Sequence, residues 1–287
     1  MSGLMERLER YRLQEEKAEA KRVRKAKKGL RLTIVQSELH WEDAAANRRM
    51  FTKKLVPLKG RTDLIVLPEM FTTGFSMRSR ELAETMKGAT VQWMREQAKA
   101  LDAAIYGSAI IKEKGKYYNR GLFVKPDGEV ETYDKRHLFR FAKENDHYTR
   151  GGDGNVVECR GWRILLQICF DLRFPVFSRN DTQPPYDLAL YVANWPEVRR
   201  HPWNTLLLAR AIENQCYVAG VNRVGKDGNG LPYSGDSVVV DPKGEVISRV
   251  EPSQEGLETI RLDWKALAEF RAKFPVLVDA DMFVIRD

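Results

Sequence analysis

From residue 31 onward, short apolar runs alternate with amphipathic stretches. L-T-I-V-Q at 32–36, D-L-I-V-L-P at 63–68 and A-A-I-Y-G-S-A-I-I at 103–111 predict buried strands, the second stopped by Pro68. W-R-I-L-L-Q-I-C (162–169), Y-D-L-A-L-Y-V-A-N-W (186–195) and C-Y-V-A-G-V-N (216–222) predict three more. Residues 43–59, 88–101 and 202–214 read as helices, with Ala46, Met50, Leu55 and Leu58 on one side of the first. Hairpins are expected at 117–133 and 236–250, followed by a strand near 257–262 and a helix near 264–272.

Two of these segments echo each other. V-K-P-D-G-E-V fills 124–130 and V-D-P-K-G-E-V fills 240–246, an offset of 116 residues. Such turns are common alone, but each lies in a hairpin that follows a helix and a buried strand. The pattern predicts an α/β protein of two pseudo-twofold halves, each contributing a sheet, with helices on the outer faces. That is a four-layer α-β-β-α sandwich. No linker rich in Pro, Gly or Ser divides residues 30–287, so they are read as one domain.

Composition narrows the class. The 287 residues are 43% hydrophobic and 31% charged, which argues for a globular chain and against disorder. No apolar run approaches the roughly 18–20 residues of a spanning helix, and the N-terminus has no apolar signal core. No membrane association is expected. The net charge of +8 is concentrated at the N-terminus, where residues 1–29 carry ten Lys/Arg and five Asp/Glu. The remainder therefore holds 38 basic and 35 acidic residues, a net of +3. Its bases form no stripe interleaved with aromatics, so nucleic acid is not an expected partner. Residues 1–29 read as a basic, solvated helical or frayed extension, on which Leu4, Leu8 and Tyr11 share a face. An anionic partner is the other reading of this tail.

The three cysteines, Cys159, Cys169 and Cys216, show no disulfide or zinc spacing and fit a reducing cytoplasm. Cys216 reads as a small hydrophobe in a buried strand, and Cys159 as incidental before a Gly turn. Cys169 differs because it ends a strand, as Glu69 does and as Lys135 nearly does. Loops past strand ends are where rigid scaffolds present reactive groups. A thiol needs help to become a thiolate. A nearby carboxylate can accept its proton, and a Lys can stabilise the thiolate and an oxyanion. A Cys-His arrangement using His137 or His201 ranks second; His40 and His147 have no evident context.

P-E-M-F-T-T-G-F, Y-D-K-R-H-L-F and I-C-F-D-L-R-F-P resemble, in order and spacing, the signatures of the nitrilase (carbon-nitrogen hydrolase) superfamily. A-N-W-P at 193–196, A-R-A-I-E-N at 209–214 and F-P-V-L-V-D-A-D at 274–281 resemble its omega-amidase branch. The resemblance runs from about residue 31 to 287 and implies the same sandwich fold. It implies a Glu-Lys-Cys triad at Glu69, Lys135 and Cys169, and a second Glu at Glu144, seven residues before Gly151. It also implies a thioester intermediate, with the Phe170 backbone N–H as an oxyanion donor, and neither metal nor cofactor.

Arg173 is a candidate anchor for a substrate carboxylate, with an ion pair to Asp171 or a nearby Glu as the other reading. Phe71, Phe75, Phe170 and Trp195 are candidate pocket walls. The expected reaction is hydrolysis of a small omega-amide of a dicarboxylic acid, such as 2-oxoglutaramate. Nitriles, N-carbamoyl amino acids and aliphatic amides are the alternatives within the fold, and a non-catalytic protein keeping the fold is another. Family resemblance further implies a homodimer or higher homo-oligomer, with 175–180 and 274–287 as contacts.

Overall fold

The computed structural model describes residues 17–281 and 283–285. The first half supplies β1 (Leu30–Gln36), β2 (Leu64–Val66), β3 (Ala104–Glu113), β4 (Lys116–Val124) and β5 (Val130–Asp134). Then come β6 (Asn155–Cys159), β7 (Trp162–Ile168), β8 (Leu188–Ala193), β9 (Tyr217–Asn222), β10 (Val224–Lys226) and β11 (Pro232–Ser234). β12 (Val238–Val240), β13 (Val246–Arg249) and β14 (Gly256–Leu262) complete the series. One six-stranded sheet has the order β14-β1-β2-β3-β4-β5 and the other β13-β12-β9-β8-β7-β6.

The two sheets share one plan. Three central strands run parallel, β1-β2-β3 in one and β7-β8-β9 in the other. An antiparallel hairpin extends one side, β4-β5 or β12-β13, and a single antiparallel strand closes the other, β14 or β6. The echoed segments are the two hairpin turns. Lys125 N donates to Glu129 O and Asp241 N to Glu245 O, while Gly128 and Gly244 take the positive φ of 90° and 89° that glycine accepts without strain. The expected halves and layers are present.

Alternation along the strands builds the layers. Leu32, Ile34, Leu64, Val66 and Tyr106 join Ile164, Ile168, Leu190 and Val192 in one core shared by both sheets. Val35, Ile65 and Ile105 point the other way, onto Phe51, Leu55, Val91 and Met94 of helices Ala44–Leu55 and Ala89–Leu101. On the second sheet, Gly220 lets helix Arg200–Asn214 approach closely: a Cβ there would lie 2.4 Å from Leu207.

Three local expectations need correction. Helix Ala44–Leu55 buries Asn47, Phe51 and Leu55, whereas Ala46 and Met50 are half-buried. The polar residue belongs inside because its amide donates to His40 O and Thr72 O, both at 2.7 Å. β6 and the β10-β11 hairpin add pairing that the apolar pattern did not mark. Finally, the described part of the extension is helical over 17–26, one of its two expected forms, but it docks on the body and is not wholly solvated. Ala26 is fully buried, and Arg22 donates to Gly161 O at 2.7 Å and Asp187 at 3.2 Å. The face formed by Leu4, Leu8 and Tyr11 lies outside the described residues.

Cys159 and Cys216 are both buried free thiols. Burial pushes each up to about 12, from an ordinary 9.0. The folded chain thus holds these protons more tightly than the unfolded chain. Their contribution to stability is complete below pH 9 and is lost as pH rises toward 12. Melting temperatures should therefore fall across this interval, and Cys216→Ala should flatten the slope. A parallel slope in the variant would refute the assignment.

Candidate active site

The apolar strands end at one edge of the sandwich, and their ends carry polar side chains inward. Past β2, Glu69 is fully buried. Its Oε1 accepts from Lys135 Nζ at 2.9 Å and Asn119 Nδ2 at 2.7 Å, and its Oε2 accepts from the Asn194 backbone N–H at 2.7 Å. Lys135 follows β5. Its Nζ also donates to both oxygens of Glu144, at 3.1 and 3.0 Å. Glu144 accepts in turn from Phe139 N at 2.6 Å and Asn119 Nδ2 at 3.2 Å. One ammonium is thus clamped between two buried carboxylates. The Glu144–Gly151 spacing has a local cause: a Cβ at Gly151 would lie 2.0 Å from Asp134 O, so only glycine passes there and donates its N–H to Lys135 O.

Cys169 opens a short 3-10 helix, Cys169–Arg173, directly after β7. Its φ of 48° is left-handed, a conformation costing an L-residue about 1–2 kcal/mol. Of the charged groups around the thiol, Glu69 acts on it most strongly. Burial, then the charge of Glu69, pushes the thiol well above its ordinary pKa, while Lys135 acts in the opposite direction. The thiol is therefore protonated at neutral pH. Burial works against the Lys135 ammonium, but the charges of Glu144 and Glu69 outweigh it and raise that pKa well above its ordinary value. Burial also lifts Glu144, against the pull of Lys135.

The cluster lies at a cavity of about 650 Å³ whose lining includes Cys169, Phe170, Phe75, Trp195, Arg173 and Arg199. The Arg173 guanidinium rests 5.3 Å above the Trp195 ring and has no hydrogen bond or ion pair among the described residues. The alternative pairing with Asp171 is absent there, because that carboxylate is occupied by Tyr133, His137 and Ile168. Phe75 lies beneath the ammonium, 5.2 Å from Lys135 Nζ to the ring.

Phe71 corrects the expectation. It is fully buried among Phe51 and Trp93, on the far side of the sheet, because Met70 turns the chain with φ 42° and Gly107 leaves room for the ring. His137 does not form a Cys-His pair; its Nδ1 lies 2.8 Å from Asp171.

Two residues escaped the sequence reading. Asn119 bridges both carboxylates, with its Oδ1 accepting from Ser108 Oγ at 2.8 Å. An amide in mid-strand, where asparagine is disfavoured, was the available signal. Asn194 directly follows β8 and grips Glu69 twice, from its backbone N–H to Oε2 and from Nδ2 to the Glu69 carbonyl at 2.5 Å.

A thiol lining the cavity, backed by a buried carboxyl group and a fixed cation, suits acyl transfer. An omega-amidase, YafV, of Yersinia enterocolitica is 51% identical over 258 residues, covering 89% of this chain and 98% of that protein. A 2-oxoglutaramate amidase of Bacillus subtilis is 32% identical over 220 residues, covering 76% and 84%. The solved structure of XC1258 from Xanthomonas campestris is described as a CN-hydrolase superfamily protein with an arsenic adduct in its active site. It matches with a TM-score of 0.88 at 49% identity, over 90% of this chain and 99% of that one. The carbon-nitrogen hydrolase family pattern covers residues 31–272, from β1 into helix Trp264–Lys273. The likeness thus spans both sheets and every strand end that feeds the cavity, and the chain belongs to the carbon-nitrogen hydrolase family of the nitrilase superfamily.

Proposed function

We propose that the protein hydrolyses a small omega-amide of a dicarboxylic acid, of the 2-oxoglutaramate or 2-oxosuccinamate type, to the acid and ammonia. The observation that carries this is the guanidinium of Arg173, without an ion pair among the described residues, in the same cavity as the Cys169 thiol. One end of such a substrate is a carboxylate for the arginine and the other an amide for the sulfur. The omega-amidase relative supports the reading.

The chemistry follows from the contacts. Glu69 takes the Cys169 proton as sulfur bonds to the amide carbon. The resulting oxyanion faces the Lys135 ammonium and the Phe170 backbone N–H; losing one such donor typically costs ~10²–10³ in rate. Glu69 passes its proton to nitrogen, the C–N bond breaks, and ammonia leaves a Cys169 thioester. Water gives a proton to Glu69 and its hydroxyl to the acyl carbon. Collapse then releases the acid, and the proton returns to sulfur. Glu144 and Asn119 hold Lys135 and Glu69 in register throughout. Phe75, Phe170 and Trp195 wall the substrate.

The protein acts in the cytoplasm, where its free thiols remain reduced. It works as a homodimer or higher homo-oligomer. Exposed Val176, Phe274 and Val278, within 175–180 and 274–287, support that contact.

The test is ammonia release from 2-oxoglutaramate, succinamate, glutamine, a simple nitrile and an N-carbamoyl amino acid, with Cys169→Ala as control. Turnover should be confined to the acidic omega-amides and vanish in the control. Arg173→Ala should raise KM for acidic amides about tenfold or more, as expected when a charged contact is lost, and leave neutral amides little changed. Equal losses on both would assign Arg173 a structural job.

A further inference from the structure

His137 sits two residues past Lys135 and takes no part in the proton transfers above. Its surroundings give it other work. Asp171, two residues past Cys169, is fully buried. Its Oδ2 accepts from Tyr133 Oη at 2.7 Å and Ile168 N at 3.0 Å. Its Oδ1 accepts from His137 N at 3.0 Å and His137 Nδ1 at 2.8 Å. Both Asp171 oxygens already accept backbone N–H groups, from His137 and Ile168, and Nδ1 is assigned as a further donor to Oδ1.

The pattern is symmetric about Lys135. Tyr133 and His137 flank it by two residues on either side, at the end of β5 in the first sheet. Ile168 and Asp171 flank Cys169, at the end of β7 in the second. One carboxylate therefore ties the segment carrying the ammonium to the turn carrying the thiol, across two sheets that share no strand. The imidazole is held for this task, stacked on Phe174 with centroids 3.8 Å apart and planes 9° apart. Phe174 in turn packs edge-to-face on Phe170 of the cavity lining, with centroids 5.3 Å apart.

We infer that His137 is a positioning residue: through its Nδ1–H bond to Asp171, it fixes the Lys135 ammonium against the Cys169 thiol. The side-chain bond matters because it adds a third tie to Asp171, at the end of the segment opposite the Tyr133 hydroxyl, and holds residue 137 by side chain as well as backbone. Such a role predicts an effect on the chemical step and on thiol reactivity, with little on substrate binding.

The inference rests on the proposed hydrolysis only in needing a substrate that is turned over. His137→Ala and His137→Asn serve as the pair, since an asparagine amide can place an N–H near the position of Nδ1. Two readouts are taken on the full chain. These are kcat and KM with the best omega-amide, and the rate of iodoacetamide labelling of Cys169, followed by mass spectrometry.

His137→Ala should lower kcat about tenfold, as for a modest misplacement of reacting groups, with KM within about twofold. Labelling of Cys169 should slow in parallel. His137→Asn should recover most of both losses. Equal impairment in the two variants, a loss confined to KM, or unchanged kcat and labelling in His137→Ala would each overturn the inference. If wild-type protein hydrolyses no omega-amide, the proposed reaction fails, and the labelling rates of the two variants still decide the role of His137.

Discussion

Lys135→Met should abolish turnover and lower the melting temperature by roughly 10 °C, the scale expected for several kcal/mol in a chain this long. The side chain is wholly enclosed, and its ammonium contacts Glu69 once and Glu144 twice. Methionine fills the space without the charge. Two buried carboxylates then face each other with Asn119 alone between them. Breaking a buried ion pair by removing one partner typically costs about 3–5 kcal/mol.

The pH dependence has a definite sign. Burial already lifts Glu144, with Lys135 opposing the shift. Without the ammonium the carboxylates keep a proton to higher pH, so acidification relieves the repulsion. The stability deficit relative to wild type should be largest near pH 8 and shrink toward pH 5. Thermal melts of both proteins at the two pH values provide the check. An equal deficit at both would mean that the loss comes from packing rather than charge.

Glu69→Gln should separate the two roles of that carboxylate. In the proposed reaction it receives the Cys169 proton as a base, and general base catalysis is typically worth about 10²–10⁴ in rate. Turnover should fall by that order. As a charge, Glu69 helps to push the thiol above its ordinary value. Neutralising it leaves the opposing pull of Lys135, so the thiol should titrate lower in the variant. The pH profile of iodoacetamide labelling measures this directly. A thiol midpoint that stays put or rises would show that the Glu69 charge does not govern Cys169.

The fold was legible where each strand carried its own signal. The parallel strands are apolar on both faces, and the two hairpin turns share nearly the same residues, so topology followed from local patterns. Glu69 and Cys169 were legible because a reactive side chain directly past a strong apolar run stands out. Glu144 was visible only through family resemblance, for nothing nearby announces that Gly151 must slip past Asp134 O. Asn119 and Asn194 escaped for another reason: Glu69, the partner that gives each its role, is 50 and 125 residues away in sequence. Asn47 and Phe71 show the opposite failure. A polar residue on a helix reads as exposed, and an aromatic beside a motif reads as lining, until distant backbone groups decide the matter.

The repeated halves also bear on how the protein is made. Glu69, Lys135, Glu144 and Asn119 all precede Gly151, whereas Cys169, Arg173 and Asn194 follow it. The ends of β2 and β8, equivalent under the repeat, meet where Asn194 grips Glu69. During synthesis the N-terminal half emerges with a base and a cation but no nucleophile. The thiol arrives later, still lacking its proton acceptor until the sheets close. Neither half holds the whole set, so hydrolysis of an amide requires the two faces to close against each other.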